Sequence, residues 1–157
     1  KNILFPQFAK DLAHTIHELF FQSKNALPRR DRLDFIELFY LLIQLKIVDV
    51  VRPDAMSFSC KDGLDVGLTN SIECLLVAKL LSGQNLTQSD VKSLTLMLFG
   101  LPLLLRGRNL FSDRFHRLLN VLKLMEAVSQ EQGKKEFLLA LVSRLAPLME
   151  TDVSAVI

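Results

Sequence analysis

The chain has 157 residues, half of them hydrophobic, and 19 basic against 17 acidic side chains leave a net charge of +2. That length suits one domain with a real core, and leucine, a good helix former, supplies most of the apolar mass. So even a charge balance gives no argument from bulk charge for nucleic acid or an anionic membrane as partner.

The periodicities predict a mainly α fold, a compact domain of about six helices over residues 1–157. A first helix is expected from about Pro6, a favourable first-turn residue, to about Ser23. Phe8, Leu12, Ile16, Leu19 and Phe20 share one of its faces, and Asn25 and Pro28 punctuate its exit. A second should cover 30–46. It is apolar nearly all round from Phe35 to Leu45, the pattern of a helix central in its bundle.

The β-branched run 48–51 and the weakly alternating stretch 55–59 flank the turn Arg52-Pro53-Asp54. They predict one or two short strands within residues 47–60. Beyond the loop 60–67, a helix is expected over 69–81, with Asn70 and Glu73 spaced as a capping pair and Gly83 as its stop. Thr87 with Asp90, or Ser89 alone, opens another helix, ending near Gly100. Pro102 should redirect the chain into 103–105 and the loop Arg106-Gly107-Arg108-Asn109. Ser112 and Asp113 start a long amphipathic helix with the stripe Phe115, Leu118, Leu119, Leu122, Met125 and Val128. Gly133 separates it from a last helix over 135–145, and the tail from Glu150 should fray.

The most apolar run, 94–105, is broken by Gly100 and Pro102 and falls short of the roughly 20 residues a membrane span needs. Cys60 and Cys74 have no His or Cys at metal-ligand spacing, which points away from disulfides and metal and toward a reducing compartment such as the cytoplasm. His14 and His17, three apart on the first helix, lack a third ligand and are expected at the surface. No cofactor is expected. The chain begins at Lys1 without a signal-peptide pattern and reads as a fragment of a longer protein.

One segment has the composition of a site. A strand leading to Cys60, a polar Gly-containing loop and a capped helix would let a phosphate rest on loop N–H groups and on the helix N-terminus. The same positive environment lowers a thiol pKa and makes the cysteine a nucleophile. Cys60, Lys61, Asp62, Gly63, Leu64, Asp65, Val66 and Gly67 form this candidate anion-binding loop, with Cys60 the candidate catalytic residue.

The loop resembles the Cys-x5-Arg motif of cysteine-dependent phosphatases. Cys60, Asp62, Gly63 and Asp65 match the myotubularin-type pattern, and Leu64 with Asp65 is similar to the Sac-type phosphoinositide phosphatases. The phrase is also similar to one in uncharacterised chlamydial proteins, a likeness compatible with a secreted bacterial effector delivered into a host cytosol. The resemblance implies a phosphate cradle, but Val66 stands where the family has Arg and Gly67 where it has Ser or Thr. Loss of one such donor costs on the order of 100- to 1,000-fold in rate, so the resemblance implies a degenerate, non-catalytic loop.

Arg106, Arg108, Arg114, His116 and Arg117 form a basic stretch interleaved with Phe111 and Phe115. Arg106 and Arg108 are the candidates to reach the anion, and the two Phe are expected in the core. Arg29, Arg30 and Arg32 at a helix start hint at an acidic partner. Three functions stay open: a non-catalytic protein-interaction or regulatory domain, a phosphate or phosphoinositide recognition module, and a phosphatase with a substituted arginine.

Overall fold

In the computed structural model, the residues described are 5–58, 63–82 and 84–131, with Gly133 and Glu136. Six α-helices and one π turn follow in order: α1 Phe5–Phe21, α2 Arg29–Val51, α3 Val66–Ser82, α4 Gln88–Thr95, the π turn Leu96–Gly100, α5 Leu101–Arg106 and α6 Ser112–Ser129. Among the described residues there is no strand. No helix among them is long and apolar enough to cross a membrane.

The predicted strands within 47–60 are therefore corrected. Residues 47–51 are the last turn of α2, and 52–58 carry no regular structure. The reason is hydrogen bonding. A β-branched residue gives up only a few tenths of a kcal/mol in a helix, whereas a strand without a partner leaves its backbone groups unpaired. Val48 also packs on the core from its helical position. The helix stops at Val51, two residues before Pro53, and Arg52 between them turns left-handed (φ 50°), its N–H donating to the Val48 carbonyl at 2.8 Å.

Two apolar clusters share α3 and α6. The larger joins Leu12, Ile16 and Phe21 of α1 to Leu38, Leu41, Leu42 and Leu45 of α2, with Cys74, Val77, Val121, Met125 and Val128. The smaller gathers Leu68, Ile72, Leu94 and Leu118. Leu122, on α6, packs against both. Although α2 touches α1, α3 and α6, it is not enclosed by them. Ile36, Tyr40, Ile47, Val50 and Val51 are exposed on its far side, so the expectation of a central helix holds for only one of its faces.

Pro102 does not end the helix it was expected to end. The backbone stays right-handed through Thr95, Leu96, Gly100 and Leu101, so α4, the π turn and α5 form one continuous arm. A proline cannot donate to the carbonyl four residues back, and its ring crowds that carbonyl. The wider turn answers this, because the Leu101 N–H reaches back to the Leu96 carbonyl. The arm ends at Gly107, whose φ of 62° makes the left-handed C-cap. The last predicted helix, 135–145, lies outside the described residues apart from Glu136.

The cap expected at Thr87 is present in full. Thr87 Oγ1 accepts the Asp90 N–H at 3.1 Å, and Asp90 Oδ2 accepts the Thr87 N–H at 2.8 Å and Lys79 Nζ at 3.0 Å. These bonds, led by the Thr87 N–H, hold the Asp90 carboxyl below its ordinary range. Thr87→Ala is expected to destabilise the fold by about 1 kcal/mol, read from the urea midpoint. An unchanged midpoint would mean that the arm does not fold with the bundle.

Candidate functional site at the start of α3

Cys60, Lys61 and Asp62 lie outside the described residues, so the site is built from Gly63 onward. Gly63 has a φ of 70°, with nothing within 4 Å of where a Cβ would stand. Backbone conformation, not crowding, favours glycine there. Leu64 turns inward and is buried, and Leu68 and Thr69 are buried beyond it. The Asp65 carbonyl accepts the Thr69 N–H at 3.2 Å and the Thr69 hydroxyl at 2.7 Å. Helix α3 thus begins at Val66, three residues earlier than expected.

That start changes the meaning of two positions. Val66 and Gly67 are the first helical residues. Val66 is exposed and Gly67 buried. Asn70 and Glu73 lie well inside the helix, so they do not form the capping pair that their spacing suggested.

An arginine does reach this corner. Arg108 Nη2 lies 2.6 Å from Asp65 Oδ2 and Nη1 lies 3.1 Å from Oδ1, a two-pronged guanidinium–carboxylate pair. The Arg108 hydrogen bonds, aided by its charge, hold the Asp65 carboxyl below its ordinary range against the cost of partial burial. Arg108 also donates to the Asn109 carbonyl at 3.1 Å, and its guanidinium carbon stands 4.1 Å over the Phe111 ring. The positive pole of α3 therefore carries a built-in anion, and the arginine beside it holds that anion.

The other basic residues disperse. Arg106 closes α5 on the exposed arm. Arg114 and Arg117 turn to Glu37 of α2, at 4.0 and 3.6 Å. Arg30 donates to Asn120 Oδ1 at 2.9 Å, and Asn120 donates to the buried Asp34 at 3.3 Å. Phe115 is half-buried and stacks edge-on with Phe99 at 5.6 Å. Phe111 is exposed under Arg108, which corrects its expected place in the core. His14 is exposed, while the His17 ring meets Phe35 edge-on at 6.5 Å. Among the described residues, no three His, Cys, Asp or Glu side chains are grouped to hold a metal ion.

The sequence reading missed the most perturbed group. Glu73 is 3% exposed, and its Oε1 has no hydrogen-bond partner among the described residues. Burial, with the Glu37 charge adding to it, pushes its carboxyl up to about 8. Its neighbour Cys74 is buried too, with its Sγ 3.7 Å from Gln44 Oε1. Burial, with Glu73 adding to it, pushes that thiol up to about 12. Such a cysteine is a small hydrophobe, not a nucleophile. The available signal was a carboxylate set between Ile72 and Cys74 in an apolar helix.

Compared with known proteins, the chain matches no family model, no curated protein and no solved structure.

Proposed function

We propose that this chain is a non-catalytic protein-interaction domain in which the phosphatase-like sequence 60–67 is a relic, its residues 63–67 used as a structural corner. The observation that carries the reading is the apolar tip of the arm. Leu103, Leu104 and Leu105 are all exposed, Leu104 by 80%, and Leu96 and Phe99 earlier on the same arm are exposed as well. Large exposed apolar patches mark interaction sites. The state of the corner supports the same reading, since the guanidinium at hand is engaged by Asp65 and Val66 offers no donor in its place.

Two measurements test this. Wild type and Cys60→Ala are expected to show the same background with phosphotyrosine and phosphoinositide substrates. Turnover that vanished in Cys60→Ala would overturn the non-catalytic reading. Leu104→Glu is expected to keep the helical circular dichroism while abolishing crosslinks that the intact protein forms through this tip. Unchanged crosslinks would remove the tip from the proposal.

A second reading, phosphate or phosphoinositide recognition, has one observation in its favour: Arg108 stands at the N-terminal end of α3. The first reading expects no saturable amide shifts at Gly63, Leu64 and Val66 when inorganic phosphate is titrated in. Saturable shifts, enhanced in Asp65→Asn, would favour the second.

A further inference from the structure

The far half of the arm lacks the polar side that a surface helix normally keeps. From Leu96 to Leu105 it carries no polar side chain at all, the composition of a helix with apolar surroundings on every side. The bundle supplies them on one side only, where Leu94, Met97 and Leu98 pack into the smaller cluster. Leu96 and Phe99 stay exposed, and Leu103, Leu104 and Leu105 are each more than half exposed. At about 100° per residue, those three consecutive leucines sweep about 200° of the helix circumference. A helix that docks in a protein groove presents one stripe, a residue every third or fourth position. A sweep this wide suits an apolar medium that closes around the tip.

The charges that bound the arm agree. Residues 91–112 hold no acidic side chain, and residues 93–105 hold no charge of either sign. Lys92 and Arg106 delimit that run, and both are exposed. Asp90, the acid before it, is buried and bonded to Lys79. Arg108 is engaged by Asp65, so Lys92 and Arg106 are the cations that count here. The net charge of the whole chain gives no attraction to an anionic surface, but this one apolar side has a cation at each end.

We infer that the arm seats its tip in the surface of an anionic lipid bilayer. Leu96, Phe99, Leu103, Leu104 and Leu105 enter the boundary between headgroups and acyl chains, about 5–10 Å deep, and Lys92 and Arg106 lie against the anionic headgroups. This goes beyond the protein-interaction reading and does not depend on it. That reading rests on the exposure of the tip, this one on its all-round apolarity and the charges at its ends.

Cosedimentation of the full chain with sucrose-loaded vesicles tests it. Binding is expected to phosphatidylcholine vesicles carrying about 30% phosphatidylserine and to be several-fold weaker on phosphatidylcholine alone. Leu104→Glu and, independently, Leu103→Glu should weaken binding at least about tenfold, and Arg106→Gln roughly fivefold. Ile47→Glu, an equal change on the exposed side of α2, should leave it unaltered. Circular dichroism checks that each variant keeps its helices. Wild type that stays in the supernatant with anionic vesicles would overturn the inference, and crosslinks lost in Leu104→Glu would then still support the protein-interaction reading. Equal binding to both lipid compositions, or an equal loss in Leu104→Glu and Ile47→Glu, would mean adsorption without a seat at the tip and overturn it too.

Discussion

Glu73→Gln is expected to stabilise the protein by about 2–3 kcal/mol near neutral pH and to flatten its stability across the weakly acid to weakly basic range. The folded chain holds the Glu73 carboxyl at about 8 against an ordinary value of 4.5. Between those values the folded state binds a proton that the unfolded chain has released. Stability therefore falls as pH rises through this window, by up to about 1.4 kcal/mol per pH unit. Below it both states are protonated and the group costs little; above it the full cost of a buried carboxylate is present.

Gln keeps the shape and cannot ionise. Urea unfolding at about pH 5, 7 and 8.5 should show the variant and wild type converging at the acid end and separating toward the basic end. Equal stabilities throughout would mean that Glu73 ionises in the fold with a partner. Glu73→Asp serves as a control that retains the charge, and its stability should still fall with pH.

The second large effect is a contrast between two positions of one helix. Leu42→Ala should destabilise by about 2–5 kcal/mol, because Leu42 is 1% exposed and its removal leaves a cavity among close-packed neighbours. Ile47→Ala, five residues on, should stay within about 0.5 kcal/mol. Both residues are aliphatic and both lie on α2, so nothing in their chemistry predicts the difference. Chemical denaturation of the two variants reads it directly. A large loss at Ile47 would mean that a segment of the same chain already covers the outer face.

That contrast shows where the sequence is legible and where it is not. The cores of α1 and α6 follow from periodicity, and the Thr87–Asp90 cap follows from a local pattern whose hydrogen bonds close within three residues. Helix α2 exceeds its predicted end because propensity is weak beside the hydrogen bonds that a lone strand would forgo. It is apolar on two faces, so periodicity marks it as buried without saying by what.

At the candidate site the decisive pairing, Asp65 with Arg108, joins residues 43 apart in the chain, and no spacing rule connects them. The basic stretch was visible as composition. That one of its arginines serves a carboxylate at the start of α3, while two others serve Glu37, depends on how α6 crosses the bundle. The helical start at Val66 was likewise hidden, since a Val-Gly pair is an ordinary turn element in sequence.

The π turn before Pro102 sets the register of everything beyond it. One extra residue in a turn rotates the following helix by about 100°, and at the arm's end this decides which leucines meet water. Shortening the chain by one residue between Leu96 and Gly100 would swing residues 103–105 about the arm's axis and return Pro102 to conflict with the carbonyl four positions back. The exposed tip is thus addressed by a single inserted residue. A gain or loss there would re-aim the surface without altering any of its side chains.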